Sequence, residues 1–418
     1  MNHSENVDHN AVLRARTMLL GSDRLSPAEQ VEAYRVLSRV SPAAYLPKLA
    51  DALTSLGCEV ARAGRREREL ELTAEAVDAA RRIGADEPNR LQALCGALWF
   101  HQRALFAGGR RAEGLAVCEE MAEAGRIAFE RGQVHSPVHA HGRLADVLAE
   151  EGRHAEAAEI LGRGAAAGSP AVDFEDAVRW AAELEAAGRH GEAAVALEGS
   201  VDATRKGAED GSCTAARLVW ELTHRSGTLD AAGRPEEAEA DRREALTVLA
   251  RLAEAGEITT RSSGSSWVVL LALSCRAEEP AASRDAPLPP FGADRLQWSP
   301  DTRGAYFAAI PALRTEATRL AEAGRTREAL SAHRRLTARS AARWDDGPRH
   351  PGLEESLRPL FDEGVALARL LTADPGALAR SLTDRSMFLA AAGRYGDAHA
   401  DLAEATALRA PHPIVTRA

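Results

Sequence analysis

The chain has few aromatic residues, 4% of 418, and almost no lysine, with Lys48 and Lys206 the only two. The first shortage leaves Ala and Leu to build whatever core exists, and small side chains let helices approach closely enough for that core to be thin and repetitive. The second removes most lysine chemistry, including the lysine that a phosphate-binding loop needs. Cysteine is also scarce: Cys58, Cys95, Cys118, Cys213 and Cys275 are scattered and odd in number, without a C-x-x-C pair. That pattern fits a reducing compartment better than a disulfide framework.

Long hydrophobic runs are missing too. The most apolar stretch, Trp267 to Leu273, is too short to cross a bilayer. The opening MNHSENVDHNAV has no apolar segment of the kind that directs secretion. The expectation is a cytoplasmic protein without membrane contact. An excess of 62 acidic over 52 basic residues gives a net charge of −10, and no clustered basic face argues for nucleic acid.

What is present is helix-forming residues in repetition. A length of 418 suggests two or three domains, or one long stack of repeats that grows without enlarging a single core. One phrase occurs seven times: a small residue, Gly, Arg, two variable residues, then an acidic or small residue before Ala. Its glycines are Gly64, Gly109, Gly152, Gly188, Gly233, Gly324 and Gly393, at spacings of 45, 43, 36, 45, 91 and 69. The interval of 91 is close to two units and is expected to hold one degenerate repeat. Each Gly is expected to close a helix in the left-handed conformation. The acidic residue that follows then falls in the first turn of the next helix, where the dipole favours it.

Four columns support this register. Four residues before each Gly stand Val60, Leu105, Leu148, Leu184, Leu229, Leu320 and Leu389; eleven before stand Leu53, Leu98, His141, Ala177, Leu222, Leu313 and Leu382. Seven residues apart, the two sets lie on one helix face. Seven before the Gly, Gly57, Ala145, Ala181, Ser226, Ala317 and Ser386 are small; five after it, Ala157, Ala193, Ala238, Ala329 and Ala398 allow close packing. Ser-Pro pairs at Ser26, Ser41, Ser136, Ser169 and Ser299 mark helix starts, and Ser26 with Glu29 forms a capping box.

The phrase x-x-G-R-x-x-E-A between two helices resembles the tetratricopeptide repeat in an extended bacterial form, over residues 11 to 410. The chain departs from that family in lacking large aromatics, in mostly lacking a proline after the second helix, and in repeats longer than 34 residues. The resemblance implies an all-α solenoid of antiparallel hairpins, a TPR-like right-handed superhelix. The expected organisation is a tail at 1–10, an N-terminal array at 11–275, a proline-rich linker or long loop at 276–300, a C-terminal array at 301–411 and a tail at 412–418. A shorter interruption lies at Asp345 to Gly352.

No residue set suits catalysis, a cofactor or a metal. His135 and His139 are four apart, but Ser136-Pro137 is expected to start a helix between them, and His141 occupies a column that is otherwise mostly Leu. Arg261 to Ser266 is rich in Ser and Gly without a lysine and reads as a loop. Cys95 and Cys118 read as core thiols. In the resembled family the first helix of each hairpin lines a concave groove. Carrying those positions over implies a binding groove of Arg62, Trp99, Arg103, Phe106, His139, Asp146, Glu150, Glu185, Trp220 and Arg314. The aromatic members can equally fill gaps between helices. A clamp for a peptide carboxylate is excluded, since Asn89 is the single Asn beyond the N-terminal tail and neither lysine falls at a groove position. The functional expectation is a non-enzymatic scaffold for a protein or peptide partner, a recognition or regulatory component of a bacterial assembly. The alternative is a ligand- or peptide-sensing regulator that acts through a partner protein.

Overall fold

Every one of the seven recurrent glycines closes a helix in the computed structural model of the chain. Their φ angles all lie between 70° and 78°, in the left-handed region that a residue with a Cβ enters only with strain. The arginine after each Gly sends its N–H back to the carbonyl five residues earlier, on Val60, Leu105, Leu148, Leu184, Leu229, Leu320 or Leu389, at 2.8–3.1 Å. This bond satisfies a carbonyl that the ending helix would otherwise leave open. In six of the seven turns the same arginine then pairs with the acidic residue three positions on: Arg110 with Glu113, Arg153 with Glu156, Arg189 with Glu192, Arg234 with Glu237, Arg325 with Glu328 and Arg394 with Asp397. The repeated Gly-Arg-x-x-Glu is therefore a turn device, complete in its own hydrogen bonds.

The columns behave as one buried stripe. The five alanines after the turn, Ala157, Ala193, Ala238, Ala329 and Ala398, are wholly inaccessible. The eleven-before column is buried throughout, His141 included, and in the four-before column only Val60 keeps partial exposure. At Gly57 a Cβ would meet Thr73 Cγ2 at 3.2 Å, so small residues there set the distance between the paired helices.

The structure describes residues 8–21, 25–136, 139–166, 174–255, 266–344 and 352–409. Among them are nineteen α-helices, one short 3-10 turn and no strand, and no helix is long and apolar enough to cross a membrane. The chain divides into two compact units, residues 1–147 with 299–301, and residues 148–298 with 302–418. The division falls at Val147, whereas residues 276–298 belong entirely to the second unit.

The first unit is a series: α1 (His9–Gly21), α2 (Pro27–Val40), α3 (Pro42–Arg62), α4 (Arg66–Arg81), α5 (Arg90–Ala107) and α6 (Arg111–Glu130), each packed on the next, with the start of α7 (Gly142–Glu150). Ser26 caps α2 with both halves of the expected capping box. Helix α7 begins at Gly142, after a turn at residues 139–141. That turn crosses α6 at Gly125, where a Cβ would meet the His139 carbonyl oxygen at 1.9 Å. The bare glycine is what admits the crossing.

The second unit continues with α8 (His154–Ala166), α9 (Phe174–Ala186), α10 (His190–Asp210), α11 (Ala215–Ala231) and α12 (Pro235–Ala255), again in series. Among the described residues, the 91-residue interval then holds no further hairpin in that series. It contains α13 (Ser266–Ser274), a stretch through Trp298 whose one helical element is the 3-10 turn Arg276–Glu278, and α14 (Pro300–Ala308). Serial packing resumes with α15 (Ile310–Glu322), α16 (Thr326–Arg343), α17 (Leu353–Arg369), α18 (Pro375–Ala391) and α19 (Tyr395–Arg409), and α12 lies against α19. Helix α13, apolar on all sides, packs against α11, α16 and α18, with Trp267 6.0 Å from Phe388 and 6.5 Å from Phe361 between ring centroids. An all-apolar helix is stable only when surrounded, so the interior of this unit is occupied by its own chain.

Residues 276–298 are tied down by charge and rings. Glu279 pairs with Arg339 at 2.6 Å, whose guanidinium lies 4.1 Å from the Tyr306 ring. Trp298 meets the same ring edge-on at 5.3 Å. Gly292, at φ 101°, crosses α9 where a Cβ would come within 2.6 Å of Ala182 Cβ. The Ser136-Pro137 and Ser169-Pro170 starts, the Arg261–Ser266 loop, the Asp345–Gly352 interruption and both tails fall wholly or largely outside the described residues.

Candidate functional site

In the first unit, α3 and α5 enclose an open cleft of about 550 Å³. On α5 the lining residues are Ala93, Gly96, Ala97 and Phe100; on α3 they are Ala50, Asp51, Thr54, Ser55, Cys58, Glu59 and Arg62. The spacing on α5, positions 93, 96, 97 and 100, is one face of a helix. That face is nearly bare: Gly96 is exposed and a Cβ added to it would touch nothing within 4 Å. A floor of Ala and Gly lets a partner's backbone come close, and half-buried Phe100 stands at its end as an apolar contact. The α3 side supplies the charge, with Asp51, Glu59 and Arg62 exposed. Partial burial raises the Asp51 carboxyl above its ordinary pKa, and burial raises the Cys58 thiol, which disfavours its nucleophilic thiolate form.

Of the ten residues that the resemblance placed in a groove, Arg62 alone lines this cleft. Trp99 packs half-buried against the first unit's core, and Arg103 is half-buried one turn further along α5. Phe106 is fully buried against Leu115, Cys118 and Val147, and its ring fills the space over Gly114, where a Cβ would sit 2.9 Å away. One residue advances a helix by about 100°, so the face carrying Trp99 and Phe106 points toward the core and its neighbour carrying Gly96 and Phe100 points to solvent. His139 and Arg314 are exposed.

The remaining four are interior. Asp146 lies 3.7 Å from Arg143, with both side chains buried. Glu150 is inaccessible and accepts from the Thr302 hydroxyl at 3.1 Å. Trp220 donates its indole N–H to the Met387 carbonyl. Glu185 accepts from the Thr228 hydroxyl at 2.5 Å and faces His224 at 3.4 Å and Arg276 at 3.5 Å. Burial alone would raise its pKa, but His224, Thr228 and Arg276 together hold it at about 2. Glu150, Glu185 and Trp220, all in the second unit, face inward because that unit fills its interior with α13 and residues 276–298. Nothing in the local sequence signals that.

The thiols are inert. Cys95 and Cys275 are buried and pushed up to about 11 and about 12 by desolvation. His135 is exposed and His141 is buried, its Nδ1 2.9 Å from the His139 carbonyl. No group of three potential metal ligands occurs among the described residues.

No family model matches the chain, and no curated protein matches it. Among solved structures, BtubC (BKLC) from P. vanneervenii is similar over 60% of this chain and 96% of its own, at 20% identity and a TM-score of 0.36.

Proposed function

We propose that the chain is a non-enzymatic scaffold of the tetratricopeptide type that binds a protein or peptide partner in the α3–α5 cleft. The observation that carries this reading is the bare α5 face, with Gly96 open to solvent at the floor of a 550 Å³ cleft. A glycine in the middle of a helix costs about 0.5–1 kcal/mol relative to Ala, and no packing contact on this side requires it. A segment lying across Gly96 and Ala97, with one apolar side chain on Phe100 and a basic one toward Asp51 and Glu59, fits both the shape and the charge. The cytoplasmic, regulatory role expected from the sequence belongs to this proposal.

A second reading, a regulator that senses a small effector and acts through a partner, is favoured by one observation: a polar cavity within the second unit.

The test uses a photo-crosslinking residue in place of exposed Ser55 in the native cell, followed by titration of the captured protein against purified variants. Gly96→Leu should fill the cleft and weaken binding at least about tenfold, and Phe100→Ala should cost a comparable factor as a lost apolar anchor. Both variants should melt cooperatively. If the captured protein binds Gly96→Leu as it binds wild type, the cleft is not the site.

A further inference from the structure

Within the second unit α9, α10, α11, α13, α16, α18 and α19 line an open cavity of about 260 Å³. Its walls carry more positive charge than their carboxylates neutralise. Arg276 faces Glu185, and Arg334 pairs with Asp384 at 2.9 Å and with Glu278. Two further guanidiniums line the cavity, Arg380 and Arg409. Among the described residues, no carboxylate lies within ion-pairing distance of either. Arg409 makes one hydrogen bond, to the Thr383 hydroxyl at 3.3 Å.

A second set of groups in the same walls is also unsatisfied. Thr223 is 7% exposed, and its hydroxyl is buried without a hydrogen-bond partner. The same holds for His190 Nδ1 and for His224 Nε2, the latter 3.4 Å from Glu185 Oε1 without hydrogen-bond geometry. A buried polar atom left unpaired is destabilising, so three around one cavity mark a place that something polar completes. Water can satisfy hydroxyl and imidazole groups in a space of this size, but it supplies no counter-charge for two guanidiniums.

We propose that this cavity binds a compact dianion, the phosphate of a phosphomonoester or free phosphate, with Arg380 and Arg409 as its charge partners and Thr223, His190 and His224 as further hydrogen-bonding groups. The two guanidiniums without a paired carboxylate, Arg380 and Arg409, match a phosphate dianion. The number of available donors exceeds what the two oxygens of a carboxylate accept, whereas the several oxygens of phosphate accept them all. Burial and the neighbouring Arg242 push Arg409 below the ordinary arginine value, against the opposing pull of Asp230 and Asp384. The site lies apart from the α3–α5 cleft and stands or falls independently of it.

The full chain, freed of phosphate by dialysis, is titrated calorimetrically with inorganic phosphate, phenyl phosphate and succinate at constant ionic strength. Saturable binding of inorganic phosphate or phenyl phosphate is expected, with succinate at least about tenfold weaker. Tighter binding of phenyl phosphate identifies an ester as the ligand; equal binding identifies free phosphate. Arg409→Gln should abolish binding. Because Arg409 is partly buried and its loss can disturb folding, Arg380→Gln, at an exposed position, provides the second variant and should weaken binding about tenfold. Absence of saturable binding by either phosphate, equal binding of succinate, or unchanged binding in Arg380→Gln would overturn the proposal.

Discussion

The indole N–H of Trp220 on α11 donates to the backbone carbonyl of Met387 on α18, 3.2 Å away across a sequence separation of 167 residues. Both residues are buried, and the bond joins helices from the two halves of the second unit's series. An aromatic at a groove position thus serves as an internal strut. Trp220→Ala should destabilise the protein by about 3–5 kcal/mol, and Trp220→Phe by about 1–3 kcal/mol. Urea unfolding followed by circular dichroism measures both. A loss below about 1 kcal/mol in Trp220→Ala would show that the indole is not a packing element.

Turn glycines separate backbone strain from steric clash. At Gly188, φ is 75° and an added Cβ meets nothing, so Gly188→Ala should cost about 1–2 kcal/mol through conformation alone. Gly292→Ala adds contact with Ala182 Cβ and the Val178 carbonyl at 2.6 and 2.9 Å, and should cost clearly more. Equal losses in thermal melts of the two variants would contradict the close crossing at α9.

Gly96 predicts the opposite sign. It sits inside α5 with open space around it, so Gly96→Ala should stabilise the isolated chain by about 0.5–1 kcal/mol. The same substitution should not improve partner binding. A destabilised Gly96→Ala would mean that the face is already packed.

Glu185 gives a pH window. Its folded pKa of about 2 lies below the ordinary 4.5, so the carboxylate contributes stability that is fully present above pH 4.5 and is lost as pH falls toward 2. Glu185→Gln should flatten the pH dependence of unfolding free energy across that window. It should also lower stability at pH 7, since His224 and Arg276 lose the negative charge that they face. Parallel wild-type and variant curves between pH 3 and 5 would remove Glu185 as the source.

Local chemistry made the helices and turns legible in the sequence. Gly-Arg closes one helix and, in six of the seven turns, an acidic residue three positions on opens the next, so the turns follow from residue type: only Gly enters the left-handed region cheaply, and Arg and a carboxylate three apart meet on a helix surface. The buried columns were legible for the same reason, because period and residue size are properties of the string. Which helix face meets solvent was not. Trp99 and Phe100 differ by one position and about 100°, and nothing local distinguishes the half-buried side chain on the core from the one on the cleft. The apolar run at Trp267 could be read as too short for a membrane, but its packing depends on α11, α16 and α18, which are distant from it in sequence. The same holds for the charges around the second unit's cavity. Arg380 and Arg409 look like ordinary helix-surface arginines in the sequence, and they share one space with Thr223 and His224 because α11 packs on α18 and α18 on α19. Sequence-local hydrogen bonding determined the repeat; long-range packing decided which of its faces remain available to a partner.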